Sequence, residues 1–285
     1  MDDGEMRPLE GVRIVTLAVN VPGSVAAARL CSLGAAVTQV PPPSGDPLAV
    51  GAPSWYAELA EGQTVVALDL KDADGRARLD TLLAERDLLL TSSRPAALER
   101  LGLGWTELRA RHPRLSQVAI TGHAAPHRDR AGHDLTYQAA CGLITPPAMP
   151  RTLLAYMAAA ERAVSAALAL LLGRARGGPA RMMEVALADA AAELAAPLRH
   201  GLTAPGAWLG GGLDAYGLYR AREGWIALAA LEPHFRARLA EELGIGEMSR
   251  AALETAFLAR TAAEWETWAD AHDLPLAAVR DPAEG

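Results

Sequence analysis

Arg130-Ala131-Gly132-His133-Asp134-Leu135-Thr136-Tyr137 is the stretch of this chain best suited to chemistry. An imidazole titrates near pH 6.5, so His133 can take up or release a proton near neutrality. Gly132 lets the backbone approach a ligand closely. Removing a proton next to a carbonyl needs such a base, together with a group that holds the enolate oxygen. A lone histidine is more often structural than catalytic, so the case for His133 rests on its setting. The other six histidines read as surface or core residues, although His123 and His127, on the loop before the motif, are placed to reach a ligand.

Composition narrows the function classes. The 285 residues are 51% apolar and 21% charged, enough for a full core in one large or two unequal domains. Such a balance belongs to a soluble globular chain, not a disordered one. A net charge of −7 argues against nucleic-acid binding, which needs a basic face. Lys71 is the only lysine among the 27 basic residues, an arginine bias that reads as genomic base composition. Cys31 and Cys141 lie far apart and read as buried small hydrophobes, with no metal or disulfide framework. The acidic start, Met1-Asp2-Asp3-Gly4-Glu5, has no apolar core and does not read as a signal peptide. Glu161 and Arg162 interrupt the most apolar stretch, Leu153 to Leu172, so it reads as a core helix and not a membrane span. A cytoplasmic location is expected.

The elements that must position His133 alternate. Strands are expected at Val12–Leu17, Ala36–Val40, Val65–Leu68, Asp87–Leu90, Ser116–Ile120 and Arg181–Leu187. Helical patterns fall between them at Ser24–Leu33, from Asp72 to Arg86, at Leu98–Arg111 and at about Met157–Gly173, with another at Asp189–Leu198. The 157–173 helix is apolar nearly all round and should run through the interior. This alternation gives an α/β fold, a Rossmann-like doubly wound parallel sheet, over residues 1–200. Residues 201–213, rich in Gly, Pro and Ala, read as a linker. A smaller α+β domain is expected over 214–285, with a hairpin of Tyr216–Arg220 and Trp225–Ala230 around Glu223-Gly224 and helices at Pro233–Leu243 and Ala262–Ala271.

Motifs along nearly the whole chain resemble those of the family III CoA-transferase superfamily. They run from Leu9-Glu10-Gly11-Val12-Arg13-Ile14-Val15 through Leu33-Gly34-Ala35-Ala36-Val37 and Val66-Ala67-Leu68-Asp69-Leu70-Lys71 to Arg94-Pro95 with Leu98-Glu99-Arg100-Leu101-Gly102-Leu103-Gly104. Arg128 to Asp134 and Ala230-Leu231-Glu232-Pro233-His234-Phe235 complete the series. The Gly-His-Asp triplet with its downstream Tyr, and the Ala230–Phe235 segment, are most similar to the α-methylacyl-CoA racemases. The resemblance implies a Rossmann-like domain, a small domain and an interlocked homodimer of ring-shaped subunits. Chains of the family return from the small domain to finish on the large one. This one ends at Asp281-Pro282-Ala283-Glu284-Gly285, about where that return begins, which puts ring closure in doubt but not dimerisation.

By the same resemblance, His133 matches the catalytic histidine and Glu232 the acid that orients its ring. The second catalytic group should be an Asp before a run of glycines. Here Tyr156 stands in its place and Ala158-Ala159-Ala160 replace the glycines, each methyl narrowing the approach to a thioester. A phenol, with a reference pKa near 10, is a weak base at pH 7 but a competent donor. Glu161 lies five residues on and projects some 140° away on a helix, so it does not replace the lost carboxylate. CoA-transferase chemistry through a mixed anhydride is not supported by a phenol. Of the family's CoA-binding cations Arg94 remains, with Arg128 and Arg130 nearby, whereas Ala60-Glu61-Gly62-Gln63-Thr64-Val65 and Gln39 carry none. A CoA phosphate wants several cations, so free CoA esters are weaker candidates here than for the family at large.

Three functions are consistent with these residues. The first is a diverged enzyme in which His133 moves a proton in an isomerisation, epimerisation, cyclisation or elimination on an activated acyl or β-dicarbonyl substrate, in secondary metabolism. His133, Tyr156 and Glu232 would be its catalytic residues, and Arg94, Arg130, Asp134 and Tyr137 its substrate contacts. The second is a conventional α-methylacyl-CoA racemase. The third is a catalytically silent homologue serving as a binding or assembly partner, with Tyr156 plugging the pocket. No metal or cofactor is expected, and the partner is a small-molecule or carrier-bound acyl group, a CoA ester among the candidates.

Overall fold

A computed structural model describes residues 7–280. The acidic start and the end at 281–285 lie outside the described residues. The chain divides into two compact units, with the boundary between Ala195 and Ala196.

The first unit runs β1 (Arg13–Thr16), α1 (Asn20–Ser32), β2 (Ala36–Gln39), α2 (Pro47–Gly51), α3 (Pro53–Ala60), β3 (Thr64–Val65), α4 (Ala73–Leu83) and β4 (Leu88–Thr91). It continues through α5 (Pro95–Arg100), α6 (Trp105–Arg111), β5 (Ser116–Thr121), α7 (Asp134–Ala140), α8 (Leu154–Ala175), β6 (Met182–Ala186) and α9 (Leu187–Leu194). The strands form a six-stranded parallel sheet of order β3-β2-β1-β4-β5-β6. That is the doubly wound order, and it reverses between β1 and β4.

The three central strands are buried on both faces, as helices on each side of a parallel sheet require. Ile14, Leu88, Leu90, Val118 and Ile120 share a core with α1, α8 and α9. The alternate residues Val15 and Leu89 join Leu79, Leu83, Leu98 and Leu108 in a second core. Each such side chain, fully buried, contributes about 1.5–3 kcal/mol.

Several elements differ from the sequence expectation for physical reasons. The first helix begins at Asn20, four residues before Ser24, because the Asp46 carboxylate accepts from Asn20 N–H (2.8 Å), Ser24 Oγ–H (3.0 Å) and Leu48 N–H (2.9 Å). The expected 98–111 helix breaks into α5 and α6 around Gly102, whose φ of 70° no helix accommodates. The strand expected at 65–68 is paired only over Thr64–Val65. Helix 189–198 likewise breaks at Ala195. Helices α2 and α3 each open on a proline at the first turn, a start signal the sequence reading passed over. Helix α8 packs against α1, α9, β5 and β6. By length and composition it could cross a membrane, yet half of its apolar window is buried in protein. Contrary to a course wholly through the interior, its C-terminal half exposes Leu168 and Leu172. Cys31 and Cys141 are free thiols and only half-buried, not core residues.

The second unit opens with α10 (Ala196–Arg199). Strands β7 (Tyr216–Arg220) and β8 (Trp225–Ala229) form the expected hairpin, turning at Gly224 with φ 82°. Helices α11 (Pro233–Leu243), α12 (Arg250–Phe257) and α13 (Ala262–Ala271) follow, and β9 (Leu276–Ala278) adds antiparallel to β8. Helix α12 and strand β9 are the elements here that the sequence reading missed. The core is aromatic. Tyr219 and Phe257 lie with ring centroids 5.2 Å apart, and Trp265 meets Phe257 edge-on at the same distance.

Candidate active site

A cavity of about 270 Å³ opens beyond the carboxyl ends of β1, β4 and β5. Ligand crevices of doubly wound sheets form at this point, where the strand order reverses. The turn after β1 reads Leu17-Ala18-Val19-Asn20-Val21-Pro22-Gly23 and lacks a dinucleotide-binding glycine pattern. His133, Tyr137, Tyr156, Arg94 and Arg130 all contribute to the wall.

His133 is the N-cap of α7. Its backbone is pinned by Thr136, whose Oγ accepts from His133 N–H (3.0 Å) and donates to the His133 carbonyl (2.7 Å). Tyr156 sits in the first turn of α8, and its Oη lies 2.9 Å from His133 Nδ1. Asp134 ties the two helices together. Its Oδ1 accepts from Tyr156 N–H at 2.9 Å and its Oδ2 from Gln138 Nε2, which also donates to the Thr152 carbonyl. A buried carboxylate therefore fixes the register that puts phenol and imidazole in contact.

Asp134 was expected to touch substrate. At 3% exposure, with both oxygens engaged inside the protein, it holds the start of α8 instead. Gly132, in the cavity wall, also has a packing task. A Cβ there would come within 2.5 Å of Tyr137 Oη, and one at Gly122 within 2.7 Å, so both glycines make room for the Tyr137 ring. The ring of His123 meets Tyr137 edge-on, centroids 5.3 Å apart. The alanines replacing the family's glycines do not face the cavity: Ala159 and Ala160 are fully buried in the core. Glu161 pairs with Arg29 at 3.1 Å.

Burial pushes the Tyr156 phenol above its ordinary pKa; a backbone hydrogen bond from Asp134 opposes the rise and the Asp134 charge adds to it. Tyr137 is raised too, by burial and then by Tyr156, with Arg94 opposing. Both are therefore protonated phenols at neutral pH. Burial, with the charges of Arg130 and His127, holds His123 below the usual imidazole range against the pull of Asp189. Arg128 pairs with Glu184 at 2.8 Å. Among the described residues Arg94 and Arg130 have no ion-pair partner, which leaves two cations free in the cavity wall. Glu232 is in the second unit, an exposed residue at the N-cap of α11.

The sequence reading did not select Asn20, Ser92, Ser93 or Thr121, which also line the cavity. Their signal was positional: each ends a central strand or follows it closely. Asn20 adds a φ of 64°, a left-handed conformation that Asn tolerates better than most residues.

The sequence profile described as CoA-transferase family III matches residues 9–285. A succinyl-CoA–D-citramalate CoA-transferase of Chloroflexus aurantiacus is 31% identical over 198 residues, 64% of this chain and 49% of that protein. An α-methylacyl-CoA racemase of Mus musculus is 30% identical over 257 residues, 83% of this chain and 65% of that one. The chain thus spans about half to two-thirds of the length of these curated relatives. The crystal structure of a hypothetical protein (Rv3272) of Mycobacterium tuberculosis superposes with a TM-score of 0.85 at 28% identity, covering 98% of this chain and 86% of that one. Fold, motif order and profile agree: the chain belongs to CoA-transferase family III.

Proposed function

We propose that the protein is a proton-transfer enzyme acting on an acyl thioester, with His133 as the base and Tyr156 as the donor to the enolate oxygen. One observation carries this reading: the 2.9 Å contact of Tyr156 Oη with His133 Nδ1 in the wall of an open cavity. When Nδ1–H donates to the phenol oxygen, Nε2 keeps a lone pair for the substrate carbon and the phenol O–H is free to face the developing oxyanion. Arg94 and Arg130 add positive charge where the enolate forms.

The same contact counts against conventional racemisation by two bases. Those bases must flank the α-carbon from opposite faces, each roughly 3–3.5 Å from it. Two groups already hydrogen-bonded to each other leave no room for a carbon between them. Isomerisation or tautomerisation through a single base fits better, and the relatives' CoA-ester substrates make an acyl thioester the natural choice.

The test is deuterium uptake from heavy water at the α-carbon of isobutyryl-CoA and of the matching carrier-bound thioester. Wild-type protein should catalyse exchange, and His133→Ala should slow it by about 10²–10⁴-fold. Exchange that survives the substitution, or is absent with every thioester, would end this reading.

A further inference from the structure

We propose that Tyr156 is also a nucleophile: paired with His133, it takes an acyl group from a thioester onto its phenolic oxygen and passes it to a second thiol. This goes beyond the proton-transfer reading and asks a different act of the same pair.

The geometry is that of an activated nucleophile. A hydroxyl and a base within hydrogen-bond reach, at 2.9 Å, open on a cavity of about 270 Å³. Burial keeps the phenol protonated, so it cannot attack unaided and needs a base beside it. The backbone hydrogen bond from Asp134 acts the other way, favouring the phenolate as charge develops, against the smaller opposing effect of the Asp134 charge. Arg94 and Arg130, free of ion-pair partners among the described residues, are placed to receive the charge on a tetrahedral carbonyl oxygen.

The step balances without any further reagent. Tyr156 Oη attacks the thioester carbonyl while its proton moves to His133 Nδ1. The C–S bond breaks, the imidazolium returns that proton to the departing sulfur, and the products are a free thiol and a tyrosyl ester. A second thiol then attacks the ester with His133 as base, forming a new thioester and restoring the phenol. Phenol and thiol have reference pKa values of about 10 and about 8.5, so neither leaving group is lost irreversibly and transfer runs both ways. A carboxylate acceptor is disfavoured, because attack on an aryl ester would make an anhydride while expelling a poorer leaving group. The acceptor class is therefore thiols.

The two activities of this pair demand opposite tautomers. Proton abstraction from carbon at Nε2 needs the hydrogen on Nδ1, whereas activation of Tyr156 needs Nδ1 bare.

The experiment is a single turnover of the full chain with isobutyryl-CoA and no acceptor, quenched in acid and mapped by peptide mass spectrometry. The expected result is release of about one CoA per chain and one isobutyryl group on the peptide holding Tyr156, removed by hydroxylamine. Tyr156→Phe, which keeps the ring, should lose both, with release slowed about 100-fold or more. Adding N-acetylcysteamine should turn the burst into steady formation of its isobutyryl thioester. The proposal fails if wild type gives no burst, if the burst persists in Tyr156→Phe, or if the label maps to Cys31, Cys141 or His133. The same ester reports deuterium exchange, so exchange without a burst would overturn the tyrosyl ester and leave the proton-transfer reading standing, and a burst without exchange would do the reverse.

Discussion

Tyr156 in the first unit and Tyr219 in the second are both buried phenols, and they differ in what their hydroxyls meet. Tyr219 is fully buried, donates to the Asp214 carbonyl and packs against Phe257, with the Arg250 guanidinium 4.9 Å from its ring centroid. A backbone carbonyl cannot take up a proton, so that bond only satisfies the hydroxyl. Tyr156 instead meets an imidazole, a group that changes protonation near neutrality, and does so beside open space. Burial raises both phenols. Only one of them is arranged so that its proton has somewhere to go.

Substitutions should separate these roles, and the largest effect on stability is expected in the second unit. Phe257→Ala removes a fully buried ring that touches Tyr219 and Trp265. It should cost about 3–5 kcal/mol in urea unfolding. His133→Ala, at an exposed helix N-cap, should leave stability nearly unchanged while slowing exchange by about 10²–10⁴-fold. The contrast breaks down if the histidine variant unfolds as readily as the phenylalanine one.

Asp134→Ala should fall between them. It strands Tyr156 N–H and the Gln138 amide, costing about 1.5–3 kcal/mol. Because Asp134 positions the start of α8, the variant should also alter the ¹⁵N shifts of the His133 ring, whereas Phe257→Ala should not. Unchanged imidazole shifts in Asp134→Ala would show that the carboxylate stabilises the fold without setting the pair.

Much of this was legible in the residues. Runs such as Leu88-Leu89-Leu90 and Val118-Ala119-Ile120 are buried on both faces, and their spacing between helical patterns implied the parallel sheet. His133 and Tyr156 were legible as candidates through family motifs, but their mutual contact was not. It depends on α7 and α8 meeting through Asp134, a long-range relation with no sequence period. Asp134 was misread because a motif residue beside a candidate histidine invites a ligand role, and only packing reveals the α8 backbone on the carboxylate, as it reveals Tyr137 over Gly132. The α1 start was hidden likewise, because the carboxylate that accepts from its first N–H, Asp46, lies 26 residues away.

The finest test of the two-tyrosine contrast is alkaline titration. A phenol raised in the folded state holds its proton when the unfolded chain, near pH 10, has begun to lose it. Its contribution to stability is therefore complete below about pH 10 and is lost as pH climbs through the folded-state value. Tyr156 and Tyr219 should both steepen the alkaline decline, and replacing either by Phe should flatten it. The secondary influences differ, however. At Tyr156 a backbone hydrogen bond from Asp134 opposes the rise and the Asp134 charge adds to it; at Tyr219 Arg250 opposes the rise and Asp214 and Glu254 add to it. Burial is the leading cause at both, so Tyr156→Phe and Tyr219→Phe should each flatten the decline, read as unfolding free energy between about pH 8 and pH 11 and checked by phenolate absorbance. A decline left unchanged by either substitution would show that burial does not raise that phenol.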